Sequence, residues 1–159
     1  MVYKMVIYTD GGCRNNGRHG ASGAAAAVFI KEYGGIISCT RPLPLSPVPT
    51  SQRAKITGII IALEQALERY EMLNTEPYLD VTIHTDSKYA VSCITTWIYK
   101  WVQNGWINAR GTEVSNRDLI EKASELDDQV KELGDVEYVW IPREENEAAD
   151  ELCREILYD

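Results

Sequence analysis

Several common features are missing from this chain. No stretch approaches the about 18 consecutive apolar residues of a membrane span, and the start, MVYKMVIYTD, lacks the charged, apolar and small-residue order of a signal peptide. The four cysteines include no C-x-x-C pair, which favours neither a zinc site nor a secreted disulfide framework. Neither G-x-G-x-x-G nor a P-loop occurs, so a phosphate ligand bound by such a loop is disfavoured. We expect an intracellular chain, without membrane association, whose cysteines are reduced.

Net positive charge is also missing, because the formal net charge is −8. This argues against a protein that coats nucleic acid by charge alone, since phosphate binding draws on clustered Lys and Arg. The distribution is uneven: residues 1–55 hold seven Lys or Arg against two acids, and residues 56–159 hold nine against twenty-two. This asymmetry indicates either a basic face in the N-terminal third or charges scattered over solvated loops.

The length of 159 residues and the 45% hydrophobic content suit one globular domain, residues 1–159, and nothing in the sequence requires an oligomer, so we expect a monomer. Three runs separated by Gly-rich turns, KMVIYTD, AAAAVFIKEY and GGIISCTR, are typical of an antiparallel meander. The segment PLPLSPVP is too rich in proline for a helix and predicts an extended linker. From Ser51, apolar residues spaced by three and four predict a helix with one buried stripe: Ile56, Ile59, Ile60, Leu63, Ala66, Leu67 and Tyr70.

The second half alternates strands with helices. YLDVTIHT and VEYVWI are predicted as the fourth and fifth strands, and SKYAVSCITTWIYKWVQ as a helical stretch, whole or in two pieces. Ser115 or Asn116 is expected to cap a further helix. The last helix, from about Asn146, is predicted to bury four apolar residues: Ala149, Leu152, Cys153 and Ile156. This order predicts an α/β fold, a mixed five-stranded sheet with three antiparallel strands and then two parallel ones, flanked by helices.

Acidic residues stand at two strand ends in similar settings, YTDGG and HTDSK. Ligands of open α/β sheets collect beyond strand ends, so Asp10 and Asp86 can be neighbours although they are distant in sequence. Each aspartate could instead only cap a turn or the following helix. Asp150 lies on the same side of the last helix as Leu152 and Cys153, where an unpaired carboxylate would be costly. A metal ion bound by the three aspartates would offset that cost.

Four segments together resemble the type 1 ribonuclease H family over essentially the whole chain: YTDGGCRNNG, SQRAKITGIIIALEQA, HTDSKYAVSCITTWIYKWVQNGWINARGTEVSNRDL and ENEAADEL. The resemblance implies the ribonuclease H-like fold and cleavage of the RNA strand of an RNA/DNA hybrid. It also implies two Mg²⁺ ions, for which Mn²⁺ is a possible substitute, held by four carboxylates. By this resemblance Asp10, Asp86 and Asp150 fall on three of those carboxylates.

The fourth carboxylate position carries a lysine. The family reads R-A-E where this chain reads Arg53, Ala54 and Lys55. A lysine among aspartates stays protonated and changes the formal charge of the cluster from −4 to −2, so we expect severely impaired cleavage. Alternatively, Lys55 points outward as a solvated residue and three aspartates hold one ion weakly.

The resemblance also implies contacts with the hybrid. Asn15, Asn16 and Gln52 match positions that contact the ribose 2′-hydroxyls of RNA, and Thr50, Ser51 and Asn116 match positions that grip the DNA strand. Trp101 and Trp106 resemble the aromatic part of a protrusion that lies against the DNA backbone, or they pack between helices, which we prefer for Trp101. Val48 stands where some relatives have arginine.

Three hypotheses follow, in this order: a ribonuclease H impaired at Lys55, a non-catalytic module that binds hybrid or a protein, and an α/β domain for an unrelated phosphate ligand. The segment WIPREENEAAD also lacks the histidine that many family members carry before the last helix, which predicts a lower rate. His84 alternates with Ile83 and is expected to be a packed or surface strand residue rather than a catalytic base.

Overall fold

The computed structural model describes residues 1–158 of the chain. Three antiparallel strands come first: β1 (Val2–Arg14), β2 (Ser22–Ile30) and β3 (Ile36–Pro42). They pair in chain order, β1 with β2 and β2 with β3. The predicted meander is confirmed. Asp159, the last residue of the predicted domain, lies outside the described residues.

Two parallel strands complete the sheet. β4 (Tyr78–Thr85) pairs with β1, and β5 (Gly134–Trp140) pairs with β4. The strand order is β3-β2-β1-β4-β5, so β1 is central and has an antiparallel neighbour on one side and a parallel one on the other. The predicted mixed five-stranded sheet is confirmed.

The helices connect and cover these strands. α1 (Ser51–Glu71) begins after the proline-rich linker, with the Thr50 hydroxyl accepting a hydrogen bond from the Arg53 amide at 3.1 Å. The helical stretch after β4 is continuous but changes its winding, from α2 (Lys88–Ser92) through a π-helical turn (Cys93–Trp97) to α3 (Ile98–Asn104). A long helix, α4 (Arg117–Leu133), precedes β5, and after a 3₁₀ turn (Arg143–Glu145) α5 (Glu147–Tyr158) ends the described chain.

The core lies mainly between α1 and the sheet. The predicted stripe of α1 supplies Ile56, Ile59 and Leu63, all fully buried. Gly58 lets the helix approach β1 closely, because a Cβ at this position would lie 2.7 Å from the carbonyl oxygen of Asp10. This approach brings the first turns of α1 beside the end of the β1–β4 ladder. Among residues 1–158, no helix has both the length and the apolar character to cross a membrane.

Three local predictions were wrong. β1 does not end at Asp10, because its pairing with β2 continues to Arg14 opposite Ser22, whereas its pairing with β4 stops at Thr9 opposite Thr85. On α5 the residue buried in the last turn is Leu157, which lies four positions after the buried Cys153 and on the same face of the helix. Ile156, three positions after Cys153, is 38% exposed.

The third wrong prediction concerns Asn116, which occupies the N-cap position of α4 without capping it. Its backbone has a left-handed conformation with φ of 65°, and its side chain turns away from the helix amides. The amide nitrogen donates to the Tyr89 hydroxyl at 2.9 Å instead. Asn116 therefore ties the start of α4 to α2.

Candidate active site

The sheet register brings Asp10 and Asp86 side by side. Thr9 pairs with Thr85 in the last step of the parallel ladder, so the next residue of each strand leaves the ladder at the same place. Both aspartate side chains are buried, with 4% and 6% of their surface exposed. The Trp140 indole holds the second strand end in place by donating a hydrogen bond of 3.1 Å to the Asp86 carbonyl. The predicted proximity of the two carboxylates is confirmed.

Lys55 lies between these two carboxylates. Its Nζ donates to Oδ1 of Asp10 at 2.7 Å and to Oδ1 of Asp86 at 2.8 Å. Its side chain is 25% exposed and leaves the second turn of α1 toward the sheet. The alternative in which Lys55 points into solvent is therefore wrong. The lysine bridges the two strand ends as a shared hydrogen-bond donor.

The protonation states of Lys55 and Asp10 depend on each other. Burial by itself lowers the pKa of Lys55, but the Asp10 and Asp86 carboxylates outweigh it, and the pKa of the ammonium is raised. Burial raises the pKa of Asp10, with the nearby Asp86 adding to the rise and Lys55 opposing it. Lys55 is thus protonated at neutral pH, and removing its charge would leave two buried carboxylates facing each other.

Asp150 reaches the same cleft from α5. Asn146, one turn earlier, is buried, and its side-chain amide donates to the carbonyl oxygen of Thr9 at 2.9 Å. The Asp150 amide then donates to the Asn146 carbonyl at 3.1 Å. Arg143 and Arg154 flank the Asp150 carboxylate at 3.8 and 3.7 Å. All three predicted aspartates therefore line one cleft, together with Lys55.

The residues present do not fit two magnesium ions. Three aspartates are an all-oxygen donor set of the kind that Mg²⁺ prefers. However, the Lys55 ammonium takes the hydrogen-bonding space between two of them. Within the described part of the chain, no three His, Cys, Asp or Glu side chains are grouped closely enough to hold a metal ion. Burial also raises the pKa of Cys153, which lines the cleft, to about 12, so its thiol is protonated at neutral pH.

Of the residues predicted to contact a hybrid, Ser51 lines this cleft. The Asn16 side-chain oxygen accepts a hydrogen bond from the Ser51 amide at 3.0 Å, which joins the turn after β1 to the start of α1. Asn15, in that turn, is exposed and has φ of 53°. Gln52 is exposed on the first turn of α1, beside the capping residue Thr50. The contacts of these residues with nucleic acid stay a prediction.

The tryptophans have different environments. Trp106 is only 7% exposed and belongs to the core, which favours packing for this residue. Trp101 is partly buried against the same core, as preferred for it, and its ring centroid lies 6.1 Å from that of Trp106. The neighbouring Trp97, which the sequence analysis did not single out, is 42% exposed. Trp97 is therefore more accessible than Trp106 for the contact with the DNA backbone that was predicted for this region.

Sequence reasoning also missed the structural roles of four residues in or near the site. Asn146 was read only as the approximate start of the last helix, and its burial was not foreseen. Arg143 and Arg154 were not noted as partners of Asp150, although the spacing of four between Asp150 and Arg154 is a helical ion-pair signal. Arg53 was used only as part of the R-A-E comparison. It makes a bidentate ion pair with Asp118 on α4, at 2.8 and 3.0 Å.

Comparison with known proteins gives concordant results. The RNase H family model matches residues 3–157. Ribonuclease H of Schizosaccharomyces pombe is 35% identical over 124 residues, which cover 77% of this chain but only 41% of that protein. Ribonuclease H of Hydrogenovibrio crunogenus is 31% identical over 160 residues, which cover 98% of this chain and 97% of that protein.

Solved structures agree on the fold. The foamy viral protease-reverse transcriptase in complex with RNA/DNA hybrid superposes with a TM-score of 0.75 at 22% identity, covering 98% of this chain and 20% of that chain. At this level of identity the likeness shows the fold alone. RNase H1 from the halophilic archaeon Halobacterium salinarum NRC-1 superposes with a TM-score of 0.64 at 22% identity, covering 98% of each chain, which confirms the predicted ribonuclease H-like fold.

Proposed function

The chain belongs to the RNase H family, and from this membership we propose a ribonuclease H-type domain that binds RNA/DNA hybrid and whose cleavage of the RNA strand is suppressed by Lys55. The observation that carries the proposal is the position of the Lys55 ammonium, 2.7 Å from Asp10 and 2.8 Å from Asp86. Relatives of this chain are ribonuclease H enzymes, and the family generally uses divalent metal ions.

Electrostatics supports suppression. A glutamate at position 55 would add a fourth carboxylate to the cleft, whereas the lysine adds a positive charge. Because Coulomb interactions scale with charge and are strong in partly buried sites, this change of two charge units lowers the attraction for divalent ions steeply. The ammonium also occupies hydrogen-bonding positions on two aspartates at once. Either effect alone disfavours binding of two ions.

Two side chains of the surface expected to receive the hybrid are held by hydrogen bonds. Asn16 is bonded to the backbone of Ser51, and Ser51 lines the same cleft as Lys55. Asn116 is held by Tyr89 and lies 3.4 Å from an Arg53 guanidinium nitrogen. These contacts fix the side chains of Asn16 and Asn116, which the family resemblance assigns to the RNA strand and the DNA strand of the hybrid. This supports hybrid binding together with suppressed cleavage.

The test compares the chain with Lys55→Glu on a labelled RNA/DNA hybrid, with Mg²⁺ and then with Mn²⁺. Lys55→Glu is expected to cut the RNA strand and the unchanged chain to be inactive or nearly so. Lys122→Glu, the same charge change at an exposed residue of α4, should remain as inactive as the parent. Adding Asp10→Asn to Lys55→Glu should abolish the recovered cleavage.

Two results would contradict the proposal. Efficient cleavage by the unchanged chain, lost in Asp10→Asn, would mean that Lys55 does not suppress the reaction. A folded Lys55→Glu variant that binds hybrid without cutting it would identify the domain as a non-catalytic binding module. Circular dichroism of each variant establishes that it is folded before its activity is compared.

A further inference from the structure

The cleft around Lys55 holds as many positive side chains as negative ones. Its carboxylates are Asp10, Asp86 and Asp150, and its cations are Lys55, Arg143 and Arg154. Four ion pairs join them, at 2.7 and 2.8 Å for Lys55 and at 3.8 and 3.7 Å for the arginines. The formal charge of the six groups is therefore zero. These six groups therefore repel an approaching phosphate less than three carboxylates alone would.

Donor capacity remains on each of the three cations. An ammonium carries three N–H donors, and Lys55 uses two of them on Asp10 and Asp86. A guanidinium carries five donors, and the contacts of Arg143 and Arg154 with Asp150 are longer than a hydrogen bond. Both arginine side chains are exposed, at 79% and 69%. Their planar donor forks match the geometry of phosphate oxygens.

The space between these groups is open and adjoins the expected hybrid surface. The cleft is a cavity of about 420 Å³ lined by all six charged groups and by Ser51. Ser51 lies one helical turn before Lys55, and its amide is bonded to Asn16. A nucleic acid strand that follows the Asn16 and Ser51 surface therefore has its backbone next to the three cations.

We propose that Lys55, Arg143 and Arg154 bind a backbone phosphate of the hybrid directly, so that hybrid binding by this chain needs no divalent cation. The side-chain cations take the place that metal ions have in relatives, but they attract the phosphate without activating water. This inference rests on the proposed function and extends it from suppressed cleavage to the way in which substrate is held. It predicts that the domain binds the hybrid with an affinity that does not depend on magnesium.

The test measures binding of a labelled RNA/DNA hybrid by fluorescence anisotropy, in EDTA and in Mg²⁺ at matched ionic strength. For the unchanged chain, the two Kd values should agree within about twofold. Lys55→Met should weaken binding in EDTA by roughly tenfold or more, since a charge-assisted hydrogen bond to phosphate is lost. Its salt dependence should become shallower, with a slope in log Kd against log salt smaller by about 0.7 to 0.9.

Arg154→Gln gives a second readout that does not disturb a buried pair. Because Arg154 is exposed, this variant should fold normally and weaken binding in EDTA several-fold, with a shallower salt dependence. Lys122→Met, which removes a positive charge from an exposed residue of α4, is the matched control and should leave the Kd unchanged. Lys55→Glu should bind hybrid tightly only when Mg²⁺ is present.

Two outcomes would overturn the inference. The first is a parent Kd that depends on Mg²⁺ at matched ionic strength. The second is unchanged binding in both Lys55→Met and Arg154→Gln. Either could occur while Lys55→Glu still recovers cleavage, in which case the proposed function stands and only the direct phosphate contact fails. If the unchanged chain binds no hybrid under either condition, the proposed function fails as well.

Discussion

The buried amide of Asn146 donates a hydrogen bond of 2.9 Å to the carbonyl oxygen of Thr9, the residue immediately before Asp10. This bond joins the start of α5 to the central strand across 137 residues of sequence. It places the helix that carries Asp150 against the strand that carries Asp10. Asn146 is therefore a positioning residue for the acidic cleft rather than a member of it.

We predict that Asn146→Ala lowers the free energy of unfolding by about 2 to 3 kcal/mol, because it removes a buried hydrogen bond and leaves the Thr9 carbonyl without its partner. Urea unfolding measures the change. Asn104→Ala, which removes an amide that bonds Ile107 at the exposed end of α3, should cost less than about 1 kcal/mol. Equal losses in the two variants would contradict the positioning role.

The second prediction concerns magnesium and stability. Lys55→Glu should have a lower melting temperature than the parent without metal, because four carboxylates then share the cleft. A hundredfold excess of Mg²⁺ over its Kd should stabilise the variant by about 2.7 kcal/mol, or roughly 5 to 10 °C. The parent should gain much less.

Differential scanning fluorimetry with NaCl at the same ionic strength separates metal binding from screening in this comparison. Equal gains for the parent and Lys55→Glu would show that the ammonium does not exclude the ion.

The third prediction concerns the close approach of α1 and β1. Alanine at position 58 improves helix propensity by about 1 kcal/mol, but its Cβ would lie 2.7 Å from the Asp10 carbonyl oxygen. Backbone must move to relieve that contact, and we expect Gly58→Ala to be destabilising by about 1 to 3 kcal/mol in urea unfolding. Gly12→Ala is the comparison, because its nearest neighbour is a Leu157 side-chain carbon at 3.2 Å. An equal or larger loss in Gly12→Ala would argue against the close approach.

The fourth prediction concerns pH and the ion pair between α1 and α4. The hydrogen bond from Arg53 holds the pKa of Asp118 below its usual value of 3.8. A carboxyl whose pKa is lowered by folding stabilises the protein above the unfolded pKa, and this contribution is lost as the pH falls through the folded pKa. Asp118→Asn should therefore be less stable than the parent by about 1 kcal/mol or less near neutral pH, because Asp118 is largely exposed.

In strong acid the difference between Asp118→Asn and the parent should shrink toward zero, as measured by urea unfolding across pH. Asp128→Asn, at another exposed acid on α4, is the control and should show a smaller pH-dependent difference. A gap between Asp118→Asn and the parent that grows as the pH falls would contradict the sign of this prediction.

Elements with a strong local signal were predictable. The stripe of Ile56, Ile59 and Leu63 repeats with helical spacing, and the predicted start of α1 agrees with the structure. The fourth strand was predicted with its bounds because apolar Leu79, Val81 and Ile83 alternate with polar residues, and these three are buried in the structure. Boundaries set by distant partners were not predictable. β1 continues beyond Asp10 only because Ser22 and its neighbours pair with it.

The candidate site divides in the same way. The positions of Asp10 and Asp86 followed from two strand ends, since parallel strands bring their ends to one edge of a sheet. The direction of Lys55 did not follow, and both orientations were compatible with the sequence. The Arg53–Asp118 pair and the turn of Asn116 toward Tyr89 join segments that are separated along the chain. Such contacts leave no periodic signal.

The sequence by itself determined the order of strands and helices, the acidic residues at their ends and the replacement of a family glutamate by Lys55, because these depend on residue type and near-neighbour spacing. Only the tertiary structure decided that Lys55 points inward. Its two partners lie 45 and 31 positions away along the chain, and they converge through the register of β1 with β4 and the close approach of α1. The orientation of a lysine side chain depends on the charged groups that it can reach, and folding determines which groups those are.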